Sequence, residues 1–310
     1  MTTRQGQGRQ VSDMQGVVNA LTVDVEDYFQ VSALAPHIPR ESWSHRACRV
    51  ERNLDRILAL FERRDARATF FTLGWIAERY PAAVRRIVEC GHELASHGYG
   101  HERVSDLGPA QFHADITRAK ALLEDIGGVA VKGYRAPSFS IGRSNLWALE
   151  VLAETGHRYS SSIYPVRHDH YGMPEAPRHP HRPTGRGGIL ELPPATLALA
   201  GRNLPAAGGG YFRLLPYAAS RGALNRINRV EGQPAVFYFH PWEIDPGQPR
   251  IPGIGLKTRF RHYLNLHRME ARLERLLHDF RWDRMDQVYA SALAGEPQQA
   301  TPPAAAPELA

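Results

Sequence analysis

Residues 19–29 read NALTVDVEDYF, an apolar run followed at once by three carboxylates. The run 19–24 predicts a buried β-strand. Acids directly after such a strand, here Asp24, Glu26 and Asp27, are costly to bury unless they bind a cation or take part in proton transfer. A helix cap or a solvated turn explains the same acids equally well, so this stretch alone leaves both interpretations open.

Outward from this stretch, apolar runs alternate with amphipathic helical segments. Six further strands are predicted at 67–73, 92–96, 131–135, 158–163, 189–192 and 235–240. Helices are predicted at 51–64, 75–90, 109–126, 145–155, 216–229 and 256–278. Repeated strand–helix steps favour a parallel sheet, and about seven of them suit an α/β barrel that is closed or nearly closed.

The composition is that of an ordinary globular protein and excludes few classes of protein. The 310 residues are 43% hydrophobic and 23% charged, which is ordinary for a globular protein. The net charge of +6 comes from scattered arginines without a basic stripe, so a nucleic-acid partner is not expected. The two cysteines form no CxxC pattern and are too few for a disulfide framework.

The chain ends differ in composition from its centre. Residues 1–17 predict a flexible N-terminus, residues 18–290 one folded domain, and residues 291–310, rich in Pro, Ala and Gln, a disordered tail. The first residues lack the apolar core of a signal peptide, and no apolar run predicts a transmembrane segment. We therefore expect a cytoplasmic location.

Two further strand ends carry polar groups. Residues 96–101 read SHGYGH, and two histidines four residues apart, His97 and His101, can converge on one metal ion. With 15 histidines in the chain, chance explains such a pair as well. Arg135 ends a later strand and can orient a carboxylate, while Pro137 begins a turn that exposes the N–H of Ser138. An ordinary surface arginine is the alternative.

His240 ends the apolar strand 235–240 and is close in sequence to Trp242. In that position it can be either a general acid or a hydrogen-bonded core histidine. Reactive residues of parallel α/β folds gather at the carboxyl ends of the strands, where all these groups are placed. Their coincidence favours a metal-assisted amide hydrolase. The metal would polarise the carbonyl and the water, a carboxylate would take a proton, and a histidine would protonate the amine.

In this order the motifs resemble those of the polysaccharide deacetylases with the NodB homology fold, carbohydrate esterase family 4. The stretches NALTVDVEDYF, GHELASHGYGH, GYRAPSFSI, ELPP, GGGYFRLLPY and FHPWEIDPGQPR are most similar to the branch found with exosortase and exopolysaccharide gene clusters. The resemblance covers residues 18–285. It implies a distorted (β/α)7-type barrel of the glycoside hydrolase/deacetylase kind.

The resemblance also implies roles for individual residues. Asp24 would be the general base, Arg135 would hold its carboxylate, and His240 would be the general acid. The N–H of Ser138 would help to bind the oxyanion. The implied substrate is an N-acetylated polysaccharide or a lipid-linked oligosaccharide, handled in loose association with membrane biosynthetic machinery.

His97 and His101 are the implied metal ligands, for zinc in most members and for cobalt, manganese or nickel in others. The family opening has two adjacent aspartates, whereas Val25 follows Asp24 here, so the third ligand is Glu26 or Asp27. Strand alternation places Glu26 on the side of Asp24. Because Asp27 is shorter and stiffer and strand ends often twist, we favour Asp27.

Two more departures concern the catalytic groups. Ser138 stands where the family usually has tyrosine. The family aspartate that orients the catalytic histidine has no counterpart, since residues 159–165 offer only serines. An amide hydrolase acting on cyclic ureides or imides and a non-catalytic sugar-binding member remain alternatives. Tyr211 and Trp242, as sugar-stacking groups, favour carbohydrate, although residues 208–213 can equally be a glycine-rich turn.

Overall fold

The computed structural model describes residues 16–169, 171–185 and 187–295. Most of the predicted flexible N-terminus and the residues from 296 of the predicted tail lie outside this part. A helix at Ala290–Leu293 runs past the start that was predicted for the tail. Among the described residues, no helix is long and apolar enough to cross a membrane.

Eight parallel strands form one curled sheet, and two further strands form an antiparallel hairpin. The strands are β1 Val18–Val25, β2 Thr69–Thr72, β3 Glu93–Ser96, β4 Gly133–Tyr134, β5 Tyr159–Ser160, β6 Leu190–Glu191, β7 Thr196–Leu199, β8 Arg202–Pro205, β9 Val236–Phe239 and β10 Arg281–Asp283. The sheet runs β10-β1-β2-β3-β4-β5-β6, and β9 pairs with the other edge of β1.

The two ends of this sheet approach each other. The N–H of Ala195, between β6 and β7, donates to the carbonyl of Val236 in β9 at 3.0 Å, a normal hydrogen-bond distance. The seven predicted strands all lie in the sheet, as β1 to β6 and β9. The expected distorted α/β barrel is therefore confirmed, while β10 and the β7–β8 hairpin were not predicted.

Helices cover the outside of the sheet. They are α1 Val50–Arg63, α2 Gly74–Arg79, α3 Pro81–Glu89, α4 Pro109–Gly127, α5 Trp147–Glu154, α6 Gly209–Leu214, α7 Tyr217–Arg229, α8 Leu256–Tyr263, α9 Leu266–Asp279, α10 Met285–Val288 and α11 Ala290–Leu293. Their apolar faces and the sheet enclose the main core.

Two helices that were predicted as continuous are each divided in the structure. The predicted helix 75–90 breaks at Tyr80, whose φ of −129° precedes Pro81, because a proline disfavours helical geometry in the residue before it. The predicted helix 256–278 breaks at Asn265, which has a left-handed φ of 52°. Asparagine tolerates that conformation better than most residues.

Strand register explains why the polar groups meet. β1 is paired along both edges and is buried almost throughout. Val25 is level with Thr72, Thr72 with Ser96, and Ser96 with Tyr134. The residues that follow these positions therefore leave the sheet at the same edge.

Candidate metal centre and active site

Three side chains form a cluster that could hold a metal ion at this edge. Glu26, His97 and His101 each offer one ligand atom, and these atoms lie within 4.8 Å of one another. The segment from His97 to His101 is a tight loop and not a helix. Gly98, with φ 75°, and His101, with φ 59°, both take left-handed conformations, and these turns bring the two rings to a centroid separation of 5.3 Å.

A backbone carbonyl fixes the orientation of the His97 ring. Its Nδ1 lies 2.8 Å from the carbonyl oxygen of Arg135, so Nδ1 carries the proton and Nε2 is left as a ligand. Burial, together with the neighbouring His101, lowers the pKa of His97 to about 4, although Asp24 and Glu26 act in the other direction. The ring is therefore neutral, as a ligand must be.

Glu26 is buried and only partly satisfied by the protein. Its Oε1 accepts a hydrogen bond from Nε1 of Trp242 at 3.1 Å. Its Oε2 lies 2.7 Å from Nε2 of His101, yet no donor reaches this oxygen with hydrogen-bond geometry. Burial alone would raise the pKa of Glu26, but His101 and His240 lower it. A buried, ionised oxygen without a donor beside two imidazoles fits a divalent metal, and two histidines with a carboxylate are a donor set of catalytic zinc sites.

Asp27 does not join this cluster, and our preference for it as the third ligand is corrected. Its Oδ2 accepts hydrogen bonds from the N–H groups of Arg49 and Val50, where α1 begins. Its Oδ1 accepts from the N–H of Tyr28 at 2.7 Å. Both acids follow the last residue of β1, Val25, and the Asp27 carboxylate contacts the start of α1 instead of the histidines.

Asp24 forms a fully buried ion pair. Arg135 Nη1 lies 2.6 Å from Asp24 Oδ1 and also donates to Thr22 at 2.8 Å. The other guanidinium nitrogens donate to the carbonyl and hydroxyl oxygens of Ser161 at 3.1 and 2.9 Å. All three guanidinium nitrogens therefore have partners, which holds the Asp24 carboxylate in one orientation and leaves Oδ2 directed elsewhere.

His240 lies across the cluster from Arg135. Its Nε2 is 3.8 Å from Asp24 Oδ2 and 3.6 Å from Glu26 Oε1. Its Nδ1 is 2.7 Å from Glu243 Oε1. Burial alone would lower the pKa of His240, but Glu26, Glu243 and Asp24 together raise it to about 9. A dication bound beside Glu26 would counter part of this effect.

Sequence reasoning missed Glu243 as the acidic partner of His240. The serines within residues 159–165 serve other groups: Ser161 binds Arg135, and Ser162 Oγ accepts from the N–H of Ala136 at 2.9 Å. The signal was nevertheless within FHPWE, since an acid three residues after a cap position commonly bonds back to that residue.

A cavity of about 870 Å³ opens above these residues. Ser138 lines it, while Pro137 is buried below the turn. The rest of the lining includes Val31, Leu107, Phe139, Tyr171, Tyr238 and Arg261. A second cavity of about 860 Å³, lined by residues such as Arg67 and Trp282, contains none of the predicted site residues.

The structure does not place the two predicted sugar-stacking residues where they could stack on a sugar in this cavity. Tyr211 is not among the residues that line the cavity above the site. Trp242 lines it but is only 6% exposed, and the rings of His240 and His262 stack on its indole at 5.3 and 4.4 Å. The indole therefore has no free face for a sugar, and its role is to pack against His240 and to donate to Glu26.

Comparisons with known proteins agree with this architecture. Residues 43–160 match the polysaccharide deacetylase family model, and residues 161–290 match a domain of unknown function, DUF3473. Residues 43–160 are therefore similar to the polysaccharide deacetylase family. A solved structure of a candidate polysaccharide deacetylase from Mycobacterium smegmatis has a TM-score of 0.60 at 22% identity, covering 97% of each chain, and shows the same fold.

The curated relatives match a shorter part of this chain than the solved structure does. A peptidoglycan deacetylase from Helicobacter pylori is 32% identical over 113 residues, which are 36% of this chain and 38% of that protein. A peptidoglycan-N-acetylglucosamine deacetylase from Bacillus cereus is 32% identical over 96 residues, 31% of this chain and 35% of that protein. A chitooligosaccharide deacetylase from Bradyrhizobium is 30% identical over 98 residues, 31% and 42% of the two chains. The match thus spans well under half of each relative.

Proposed function

We propose that this protein is a metal-dependent hydrolase that removes N-acetyl groups from a sugar polymer or its precursor. The observation that carries the proposal is the convergence on one cavity of a metal-ligand cluster, an arginine-held carboxylate and a histidine. The relatives named as deacetylases of peptidoglycan and chitooligosaccharides support an N-acetylated sugar as substrate. The motif resemblance to the exosortase-associated branch favours an exopolysaccharide or a lipid-linked oligosaccharide.

The metal we propose is zinc, held by Glu26, His97 and His101. When bound, it would polarise the acetyl carbonyl and make water more acidic. Asp24 would accept the proton of the attacking water on Oδ2, because Oδ1 is engaged by Arg135. The ion pair fixes where that oxygen stands relative to the substrate.

His240 would protonate the leaving amine. Nε2 is the nitrogen that faces Asp24 and Glu26, since Nδ1 bonds to Glu243. As the C–N bond breaks, the amine nitrogen takes the Nε2 proton and the acetyl group leaves as acetate. An oxyanion contact from the N–H of Ser138 is part of the proposal, because Ser138 lines the same cavity.

Acetate release from N-acetylated chitooligosaccharides tests this function. The wild-type protein should release acetate with added zinc and lose this activity when a chelator is present. Asp24→Asn should lower the rate at least about 100-fold, which is the lower range for loss of a general base. Asp27→Asn is the matched control, since it removes a carboxylate from the same strand end that lies outside the cluster.

Three outcomes would contradict the proposal. Full activity of Asp24→Asn would refute the assigned base. Ammonia release from cyclic ureides without acetate release from sugars would indicate a different amide hydrolase. Metal binding near one equivalent with no turnover on any acetylated sugar would indicate a non-catalytic sugar-binding protein.

A further inference from the structure

We propose that Glu243, itself held by Arg213, is the residue that positions His240 for protonating the leaving amine. The inference rests on the proposed function for its chemistry. It also assigns a role to residues 161–290, the part that matches a domain of unknown function. That part would complete the active site that Asp24, Glu26 and residues 43–160 begin, and would not be a separate module.

The first support is the double contact between Glu243 and His240. Glu243 Oε1 accepts hydrogen bonds from the backbone N–H of His240 at 3.1 Å and from its Nδ1 at 2.7 Å. One carboxylate oxygen thereby holds both the backbone and the imidazole ring of His240. Because Nδ1–H is engaged by a carboxylate, Nε2 is the nitrogen presented to the cavity.

The second support is the way Glu243 is fixed in turn. Arg213 Nε lies 2.7 Å from Glu243 Oε2, and both side chains are almost completely buried. The remaining nitrogens of Arg213 donate to the carbonyls of Arg261, His262 and Leu264 at 3.2, 3.1 and 2.6 Å. These carbonyls lie at the end of α8 and the break before α9. Neither member of the pair can therefore turn without breaking buried hydrogen bonds.

The third support is the close approach of α6 to this carboxylate. A Cβ at Gly209 would stand 2.1 and 2.2 Å from the two carboxylate oxygens of Glu243. Only glycine allows helix α6 to begin at this place with Glu243 in its present position. At the next residue, Gly210, a Cβ would meet no atom within 4 Å. Gly209 and Arg213 thus contribute a close contact and an ion pair to the surroundings of Glu243.

A pair of neighbouring glycine substitutions provides the test. Gly209→Ala displaces the Glu243 carboxylate and changes no charged group, while Gly210→Ala makes the same substitution in the same helix without a contact. Glu243→Gln removes the charge and keeps the shape. Each variant is assayed in the full chain for acetate release from an N-acetylated chitooligosaccharide and for hydrolysis of 4-nitrophenyl acetate, whose phenolate leaves without a proton.

If Glu243 positions His240, the substitutions should slow hydrolysis of the sugar amide but not hydrolysis of the ester. Gly209→Ala and Glu243→Gln should lower kcat for the sugar amide by about tenfold or more, because a misplaced general acid forfeits part of an effect of about 10² to 10⁴. Their rates on the ester should change by less than about twofold. Gly210→Ala should match the wild type on both substrates. Equal losses on the amide and the ester, with zinc content unchanged, would overturn the inference.

A second measurement does not depend on activity. In the metal-free protein, the His240 Nδ1 proton should give a downfield NMR signal, because it is held in a short bond to a carboxylate. Gly209→Ala and Glu243→Gln should shift or remove this signal, and Gly210→Ala should keep it. An unchanged signal in Glu243→Gln would overturn the inference. If the wild type released no acetate from any sugar, the proposed function would fail, and this spectrum would still decide whether Glu243 holds His240.

Discussion

Glu26 and Asp27 are neighbours in the chain, but their carboxylates serve different parts of the molecule. Glu26 Oε2 lies 2.7 Å from Nε2 of His101, whereas Asp27 accepts the first N–H groups of α1. Both residues follow the last residue of β1, Val25, and their side chains contact different elements of the fold. One acid is therefore available to a metal, and the other stabilises a helix.

This division predicts opposite effects for two conservative substitutions. Glu26→Gln should weaken zinc binding at least about 100-fold, above the range for residues that only support a ligand, and should leave the fold intact. Asp27→Asn should keep zinc affinity and lose about 1–2 kcal/mol of unfolding free energy, as expected for a lost helix cap. Competition with a chromophoric chelator and urea unfolding measure the two quantities. Zinc affinity that fell in Asp27→Asn alone would reverse our assignment of the third ligand.

The buried pair of Arg135 and Asp24 predicts a large effect on stability. Arg135→Met leaves an uncompensated buried carboxylate and should cost about 3–5 kcal/mol. Asp24→Asn combined with Arg135→Met should recover part of that loss, since the unpaired charge is then absent. Urea unfolding of the four proteins completes a double-mutant cycle. Strictly additive losses would show that the two side chains do not interact.

Trp242 is predicted to act on the metal ligand and not on the sugar. Trp242→Phe keeps an aromatic ring beside His240 but removes the donor to Glu26 Oε1. Zinc affinity should fall about 10- to 100-fold, as for other groups that orient a ligand, while KM at saturating zinc changes little. Isothermal titration and steady-state kinetics separate these effects. A large rise in KM with unchanged zinc affinity would restore the stacking role.

His92 predicts a loss of stability in acid. Burial against Phe61 and Phe70, with Arg67 and Arg284 nearby, lowers the pKa of His92 from 6.5 to about 4. Between pH 6.5 and pH 4, His92 is protonated in the unfolded chain but stays neutral in the folded chain. The free energy of unfolding therefore decreases as the pH falls through this range. The full effect is about 3 kcal/mol, and it vanishes above pH 6.5, where the ring is neutral in both states.

His92→Asn isolates this effect. Asparagine has no titrating group there, and its Oδ1 can replace Nδ1 as acceptor for the N–H of Ala68. Unfolding free energy is measured by urea titration at several pH values between 4 and 7.5. The wild-type curve should fall more steeply toward acid than the curve of the variant. Parallel curves would exclude His92 as a source of acid sensitivity.

Sequence patterns predicted the secondary structure best where it depends on residues that are close together in the chain. Apolar runs located seven of the eight parallel strands, because a strand buried on both faces is mostly apolar. Helix continuity was less predictable. The amphipathic pattern continues across Tyr80 and Asn265. Pro81 is a sequence signal for the first break, whereas the second is shown only by the left-handed backbone of Asn265.

The sequence by itself determined which residues are available: acids after β1, a histidine pair after β3, an arginine after β4 and a histidine after β9. Parallel strands end at one edge of a sheet, and so those groups were expected to meet. Only the tertiary structure decided their partners. Whether Glu26 or Asp27 faces His101 depends on the geometry of the last residues of β1, and the contact between Glu243 and Arg213 joins residues 30 positions apart. Such contacts arise from the packing of α6 and α9 around the barrel, which no local pattern specifies.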